Sequence, residues 1–186
     1  RRTAHVNSPS DVILMLTIGL VGNPNSGKST VFNALTGARQ RVGNWPGVTV
    51  ERKSGQFVHQ ENMFEVIDLP GTYSLDSGDA TEAIDERIAR EFISGPSVDV
   101  IVNVIDATSL SRGIFLTTQL REKSIPVVVA LNMLDSAEQL GIEIDVPQLA
   151  KDLACPVIPM VATRNRGIKE LKNSLCVVTY RSFSVL

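Results

Sequence analysis

This sequence contains few cysteines and has little excess of charge of either sign. Only two of its 186 residues are cysteines, Cys155 and Cys176. Two cysteines do not suggest a disulfide framework, and a reducing cytoplasm is the simpler interpretation. Lys and Arg number 18 against 20 Asp and Glu, which leaves a formal net charge of -2. No global field therefore attracts nucleic acid or an acidic membrane surface, and we expect no nucleic-acid partner.

A hydrophobic run long enough to span a bilayer is also absent from the sequence. Spanning takes about 20 apolar residues, whereas the most apolar run, residues 12–21, is shorter and contains Thr17 and Gly19. The basic residues at the start suggest a signal peptide, but no small-residue cleavage site follows the run. The run leads straight into a Gly-rich loop, so we interpret it as a buried strand.

Length and composition predict one domain with one core. Hydrophobic residues make up 43% and charged residues 20% of the chain, which is ordinary globular composition. The chain does not begin with Met, and Met15 stands where a natural start would fit. We therefore expect residues 1–14 to be a tag remnant or a disordered extension and residues 15–176 to form the domain. The tail 177–186 has no clear period, and we expect a vector scar or a non-native end.

Apolar runs and amphipathic segments alternate along the chain. Strands are predicted at residues 16–21, 48–58, 63–68, 98–105, 125–131 and 156–160, and helices at residues 29–35, 79–93, 113–123, 147–153 and 168–175. Polar, Gly-rich loops are predicted at residues 38–47 and 69–78. The alternation predicts a three-layer α/β fold, in which helices cover both faces of a mostly parallel six-stranded sheet with one antiparallel strand.

A phosphate loop follows the first predicted strand. It matches the pattern G-x-x-x-x-G-K-[ST] at every fixed position with the residues Gly22, Asn23, Pro24, Asn25, Ser26, Gly27, Lys28 and Ser29. Its glycines let the backbone turn so that N–H groups point at phosphate oxygens, and the next helix adds its positive end. We expect Lys28 to reach the β and γ phosphates, Ser29 to bind Mg²⁺, and Thr30 to line the site. The motif predicts a nucleoside triphosphate without choosing between ATP and GTP.

Two later segments are candidates for sensing the γ phosphate and the metal. In the Asp68 loop, the four residues Asp68, Leu69, Pro70 and Gly71, we expect the carboxylate to hold Mg²⁺ opposite Ser29 and the Gly71 N–H to meet the γ phosphate. In the Trp45 loop, residues 45–50, we expect Thr49 to complete the metal shell beside Gly47 and Val48. For Trp45, the only tryptophan, two interpretations stay open: a loop anchor packed on the surface, or a mobile cover over the nucleotide.

A base loop follows the strand predicted at residues 125–131. It consists of Asn132, Met133, Leu134 and Asp135. The Asp135 carboxylate can accept hydrogen bonds from the N1–H and N2–H₂ groups of guanine, whereas adenine offers no such donor pair. We expect Asn132 to brace the loops and touch the base. The backbone of the Thr163 loop, Val161, Ala162 and Thr163, is a candidate reader of guanine O6; a plain connection between strand and helix is the alternative.

These five elements, in this order, resemble those of the TRAFAC-class P-loop GTPases. The segments G-N-P-N-S-G-K-S, N-W-P-G-V-T-V-E, D-L-P-G-T-Y-S-L and L-N-M-L-D resemble, more closely, the N-terminal cytoplasmic G domain of the bacterial ferrous iron transport protein B family. The likeness runs over residues 16–175. It implies a Ras-like G domain that binds Mg²⁺, hydrolyses GTP slowly to GDP, and regulates Fe²⁺ uptake.

The resemblance also implies partners and a second cation. Family members act through a membrane portion of the same transporter at the cytoplasmic face of the inner membrane, and the full-length protein is a possible homo-oligomer. This piece alone would be soluble. Potassium stimulates the family, with a phosphate-loop Asn as one ligand, which maps onto Asn25. A cation there would sit between the phosphates, where Ras-type enzymes place an arginine.

The chain departs from related GTPases at several positions. Thr72 follows Gly71 where Ras-like enzymes carry a Gln, and no side chain is an obvious general base, so we expect Lys28, Asn25, Thr49 and Gly71 to provide the catalysis. Met133 replaces the Lys that usually lies over the base, which predicts modest affinity and fast GDP release. The helical and transmembrane parts of the family are missing, which suggests an isolated G domain.

Two alternatives to a slow GTPase remain open from the sequence. One is a nucleotide-dependent binding switch with negligible hydrolysis, whose conformers bind a partner. The other is a GTPase of ribosome assembly or tRNA modification, a class that usually appends an RNA-binding domain or a basic extension. The sequence shows neither appendage, and the N-W-P-G-V-T-V-E segment favours the transporter family.

Overall fold

The computed structural model describes the backbone of residues 3–4, 13–71 and 84–183, and the side chains of residues 15–71 and 84–179. Strands are β1 Thr3–Ala4, β2 Ile13–Gly22, β3 Gln40–Asn44, β4 Glu51–His59, β5 Asn62–Asp68, β6 Val100–Asp106, β7 Val127–Asn132 and β8 Val157–Pro159. Helices are α1 Lys28–Thr36, α2 Ile84–Ser94, α3 Leu110–Glu122, α4 Leu134–Gln139, α5 Val146–Leu153 and α6 Ile168–Phe183, with a 3₁₀ turn at Ala162–Arg164. The α/β fold expected from the sequence is confirmed.

The strands form one sheet in the order β3-β4-β5-β2-β6-β7-β8, and β1 pairs with β2. Strands β5, β2, β6, β7 and β8 are mutually parallel, whereas β4 runs antiparallel to both of its neighbours. Every residue of β7 is buried, as expected for a strand covered on both faces. Strand β4 is therefore the one antiparallel strand that was predicted among the strands from β3 to β8.

Two apolar layers cover the sheet, one on each face. On one face, side chains of α1 and α6 such as Phe32 and Leu171 pack against the sheet. On the other face α2 and α3 contribute Ile93, Leu116 and Leu120. These layers leave the edge formed by the carboxyl ends of the parallel strands to the loops, where ligands of open α/β sheets bind.

Residues 38–47, predicted as a loop, instead contain the edge strand β3. Its register with β4 pairs Gln40 with Gly55 and Asn44 with Glu51. All five residues of β3 are exposed, so an edge strand of this kind carries no apolar alternation that a sequence pattern could reveal. The predicted six-stranded sheet therefore lacked two of the observed strands, β3 and β1.

The tail predicted at residues 177–186 continues α6 as far as Phe183. The Thr179 side chain is buried, and its hydroxyl donates to the Leu175 carbonyl oxygen at 2.8 Å. A buried Thr in place of an apolar residue weakens the periodic signal, which explains why the helix was predicted to end at residue 175. The non-native origin of the tail stays a prediction. At the other end, β1 pairs with Ile13 and Leu14 within the segment expected to be a tag or extension.

Helix α2 was predicted to begin at residue 79, but residues 72–83 lie outside the described part of the chain. The expected start of this helix at residue 79, most of the loop 69–78 and Thr72 therefore stay predictions. Within the described residues, no helix is both long and apolar enough to cross a membrane.

Both cysteines are free and buried. Burial raises the pKa of the Cys155 thiol to about 11, and burial likewise raises the pKa of Cys176. Thiols with raised pKa values stay protonated near neutral pH and are poor nucleophiles and metal ligands. The two cysteines therefore belong to the core.

Candidate functional site

The predicted loops come together at one edge of the sheet. Strand β2 ends at Gly22, β5 at Asp68 and β7 at Asn132, and these strands run parallel. Because the carboxyl ends of parallel strands meet at one edge, the phosphate loop, the Asp68 loop and the base loop are neighbours. The Thr163 loop follows β8 at the same edge.

The phosphate loop is a tight turn that only glycine fits at two positions. Gly27 has φ +84°, and a Cβ atom there would lie 2.3 Å from Asn132 Nδ2. A Cβ atom at Gly22 would lie 2.6 Å from the Val104 carbonyl oxygen. Helix α1 begins at Lys28, directly after Gly27, so its first N–H groups point out of the loop with the positive end of the helix dipole. The arrangement is an anion cradle.

Two buried side-chain oxygens of this loop lack partners. Ser26 Oγ and Asn23 Oδ1 have no hydrogen-bond partner among the residues that the structure describes. A buried polar atom without a partner costs about 1–3 kcal/mol, so such atoms in a native structure call for a ligand or ordered water. The loop therefore has unmet hydrogen-bonding capacity where the motif predicts phosphate.

Lys28 and Asp68 form an ion pair across the site. The Lys28 ammonium also donates to the Leu69 carbonyl oxygen at 2.7 Å. The two charged side chains are only 14% and 12% exposed. Lys28 here neutralises the carboxylate that was predicted to bind Mg²⁺, so the structure brings the predicted phosphate ligand and the predicted metal ligand together. Ser29 is exposed at the start of α1, and Thr30 and Pro70 are half-buried at the same edge.

The Trp45 loop joins β3 to β4 near the carboxyl end of β5. Lys53 of β4 pairs with Asp68, so the residues before Glu51 extend past the end of β5. Thr49 is exposed, with Gly47 exposed and Val48 half-buried beside it. Among the described residues no hydrogen bond joins Thr49 to Ser29 or Asp68. The loop is thus at the predicted edge, and metal binding by Thr49 stays a prediction.

Trp45 packs as an anchor in this structure. Its ring meets Phe92 of α2 edge-to-face, with centroids 5.7 Å apart at an interplanar angle of 75°. The guanidinium carbon of Arg52 lies 5.2 Å from the centre of the Trp45 ring. Of the two interpretations left open by the sequence, the anchor describes this conformation.

Asn132 braces the base loop against two other loops. Its side chain is buried; Nδ2 donates to the Ser26 carbonyl oxygen at 3.1 Å, and Oδ1 accepts from the Ala162 N–H at 3.0 Å. One amide therefore fixes the phosphate loop, the base loop and the Thr163 loop relative to one another. Contact of Asn132 with a base stays a prediction.

Asp135 presents its carboxylate at the same edge. Oδ1 accepts from the Ser136 N–H at 3.0 Å, and Oδ2 lies 3.8 Å from a guanidinium nitrogen of Arg164. The Asp135 side chain is 25% exposed and therefore accessible to a ligand. Arg164 was not predicted from the sequence, although its place directly after Thr163 was a usable signal. Met133 directly precedes α4 and has the left-handed conformation, with φ +62°. Leu134 is the first residue of α4.

Asn132→Ala is expected to lower the free energy of unfolding by about 2–5 kcal/mol, because two buried backbone groups would each lose a hydrogen bond. Urea denaturation of the variant and the parent measures this loss. Asn44→Ala is the matched control, since Asn44 is exposed on β3, and it is expected to change stability by no more than about 0.5 kcal/mol. Equal stability of the two variants would exclude the brace.

Comparison with known proteins matches this geometry. A sequence model described as ferrous iron transport protein B matches residues 16–175. The Fe(2+) transporter FeoB of Salmonella typhimurium is 57% identical over 157 residues, which cover 84% of this chain and 20% of that protein. The chain thus spans about a fifth of the length of this curated relative.

Solved structures agree with the sequence match. The G domain of the T. maritima FeoB iron transporter has a TM-score of 0.82 and 37% identity, covering 89% of this chain and 99% of that one. The cytosolic domain of the same transporter in its GMPPNP form has a TM-score of 0.82 and 36% identity, covering 89% of this chain and 64% of that one. On the fold, the loops and these matches together, the chain belongs to the ferrous iron transport protein B family and has the fold of its G domain.

Proposed function

We propose that this chain binds GTP and GDP with Mg²⁺, hydrolyses GTP slowly, and regulates Fe²⁺ uptake by the membrane portion of a longer transporter. The observation that carries the proposal is the Asn132 brace, which joins the anion cradle, the base loop with its Asp135 carboxylate and the Thr163 loop in one site. The GMPPNP form of the T. maritima cytosolic domain supports it.

The phosphate loop would bind the phosphates through its own backbone and two side chains. The N–H groups between Gly22 and Ser29 would donate to phosphate oxygens, and so would the Ser26 hydroxyl, which has no partner among the described residues. Asn23 Oδ1 can only accept, so its partner there would be an ordered water. Lys28 leaves Asp68 for the β and γ phosphates. Pro24, Thr30, Leu69 and Pro70 line the same site.

The metal ligands fit a hard cation. Asp68 would offer a carboxylate, and Ser29 and Thr49 would offer one hydroxyl each. Gly47 and Val48 would line the site beside Thr49. Bound Mg²⁺ supplies charge neutralisation at the β and γ phosphates. Asp68 is suited to exchange Lys28 for Mg²⁺, because its half-buried carboxylate is already paired with a cation.

The base would be read by three elements. The Asp135 carboxylate accepts from guanine N1–H and N2–H₂, which requires that Arg164 yields its place 3.8 Å away. Asn132, Met133 and Leu134 would pack around the base. In the Thr163 loop, the Val161 N–H already donates to the Arg166 carbonyl oxygen and the Ala162 N–H to Asn132 Oδ1. Of these three residues, Thr163 is therefore the one whose N–H would donate to guanine O6. These contacts would favour GTP over ATP.

Catalysis would depend on positioning rather than on a general base. Lys28 and the Gly71 N–H stabilise charge on the γ phosphate, and Thr49 orders its metal. Asn25 stands exposed in the left-handed conformation, with φ +67°, and offers its amide oxygen to K⁺ beside the phosphates. Potassium supplies positive charge for the transition state there.

The setting of the domain follows from its family. The relatives are transporters of which this chain covers a fifth, so the proposed partner is the membrane-embedded portion of the same protein, with this domain soluble at the cytoplasmic face of the inner membrane. A homo-oligomer of the full-length protein is part of the proposal.

Phosphate release from GTP is expected to be at least about tenfold faster in KCl than in NaCl at equal ionic strength, because a fixed cation stabilises the transition state. Asn25→Ala is expected to remove the difference. Asn165→Ala is the control, since Asn165 has the same left-handed backbone, with φ +54°. Equal rates in both salts would exclude the potassium site, and nucleotide binding without turnover would favour the binding switch.

A further inference from the structure

The Asp135 carboxylate faces a cation of the same chain at the place where the proposed function requires guanine. Its Oδ2 atom lies 3.8 Å from a guanidinium nitrogen of Arg164, and its Oδ1 atom accepts from the Ser136 N–H at 3.0 Å. Each carboxylate oxygen thus has a partner from the protein itself. Guanine would offer its N1–H and N2–H₂ groups to the same two oxygens, so the base and the guanidinium need the same acceptor.

The backbone of Arg164 is held in place by the turn that carries it. Val161 and Arg166 exchange two backbone hydrogen bonds, at 3.1 and 3.2 Å, and the Arg164 N–H donates to the Val161 carbonyl oxygen at 3.0 Å. The Ala162 N–H donates to the buried Asn132 side chain at 3.0 Å, which ties the turn to the base loop. The turn therefore keeps Arg164 within reach of the base loop, and a change of partner involves its side chain alone.

The ion pair of Arg164 with Asp135 is of a kind that a ligand can displace. The Arg164 side chain is 72% exposed, and the pair is longer than a hydrogen bond. Exposed ion pairs contribute little to stability and are screened by salt. Guanine can therefore replace the guanidinium, but each binding event has to break the pair first.

We propose that Arg164 competes with guanine for the Asp135 carboxylate and thereby lowers the affinity of the site for guanine nucleotides. The inference rests on the proposed function, because the competition exists only if Asp135 reads guanine. Arg164 acts through Asp135, so its influence is on base recognition rather than on the phosphates. The observed affinity falls in proportion to the fraction of molecules in which the carboxylate is available.

Arg164→Gln, which keeps a polar side chain and removes the charge, tests the competition in the whole chain. Calorimetric titration with GDP and Mg²⁺ at low ionic strength is expected to show an affinity about 2- to 5-fold higher than that of the parent. The sign is decisive, because loss of a positive charge would otherwise weaken the general attraction for phosphate. Arg166→Gln is the matched control: Arg166 is exposed on the same turn, and its loss is expected to produce no gain.

Two further measurements separate charge from shape. Salt screens an exposed ion pair, so the gain of Arg164→Gln over Arg166→Gln is expected to fall toward one between about 0.05 M and about 0.5 M NaCl. Arg164→Lys keeps the positive charge and is expected to bind GDP as the parent does.

The outcomes distinguish the competition from the proposed function. If the parent binds GDP but Arg164→Gln binds it no more tightly than Arg166→Gln, the competition is wrong and the proposed function stands. A gain that salt does not reduce, or that Arg164→Lys shows as well, would come from the shape of the side chain and would also contradict the competition. If the parent binds no GDP, the proposed function fails, and the competition with it.

Discussion

Asp135→Asn is expected to lower the affinity for GDP at least about a hundredfold, because an amide N–H would face the N–H donors of guanine. Asp135 is suited to this role, since its carboxylate is 25% exposed and is fixed at one oxygen by the Ser136 N–H. Xanthine carries an acceptor oxygen where guanine carries its amino group. The variant is therefore expected to bind xanthosine diphosphate more tightly than GDP, as measured by calorimetric titration with both nucleotides.

The control for this exchange is Asp152→Asn. Asp152 is exposed on α5 and accepts a hydrogen bond from Gln148, so its loss is expected to leave the affinity for both nucleotides unchanged. If Asp135→Asn bound GDP as tightly as the parent, Asp135 would not be the base reader. The structure would then have to place guanine recognition elsewhere along this edge.

Lys28→Met is expected to lower the affinity for GDP and GTP by about 100- to 1000-fold, because two charge-assisted hydrogen bonds to phosphate would be lost. Methionine keeps the length of the side chain and removes its charge. The same change leaves the Asp68 carboxylate, 12% exposed, without the cation that pairs with it here. Fluorescent GDP titration measures the affinity, and thermal denaturation reports any loss of stability.

Lys123→Met separates the effect of the site from a general loss of positive charge. Lys123 is exposed at the end of α3 and is expected to have no influence on nucleotide binding. Near-parental affinity of Lys28→Met would show that phosphate binding depends on the backbone cradle alone. The exchange of Lys28 between Asp68 and the phosphates would then be wrong.

The phosphate, Asp68 and base loops were predictable because each directly follows a strand of a parallel sheet. Buried strands such as β2 and β7 give continuous apolar runs, and the polar residues after them necessarily meet at one edge. Asn132 is an example. Its place after β7 predicted that it braces the loops, and the structure shows both hydrogen bonds of its side chain. The family comparison then decides against ribosome assembly and tRNA modification.

The features that sequence analysis missed depend on tertiary contacts. Strand β3 is a strand only because β4 pairs with it, and its five exposed residues carry no pattern. The partner of Trp45 lies far along the chain on α2, and the ring contact with Phe92 leaves no trace in local composition. Arg164 approaches Asp135 only because the turn between Val161 and Arg166 brings it to the base loop. Contacts between distant segments depend on the fold, so the spacing of residues along the sequence does not reveal them.

Calorimetric titration of the unmodified chain with GMPPNP and with the matching adenine analogue, both in Mg²⁺, measures whether this edge of the sheet selects guanine. One molecule of GMPPNP is expected to bind per chain, and the adenine analogue is expected to bind at least about a hundredfold more weakly, since adenine leaves the Asp135 carboxylate unpaired. Equal affinity for the two analogues, or no binding of GMPPNP, would contradict guanine selection at this edge.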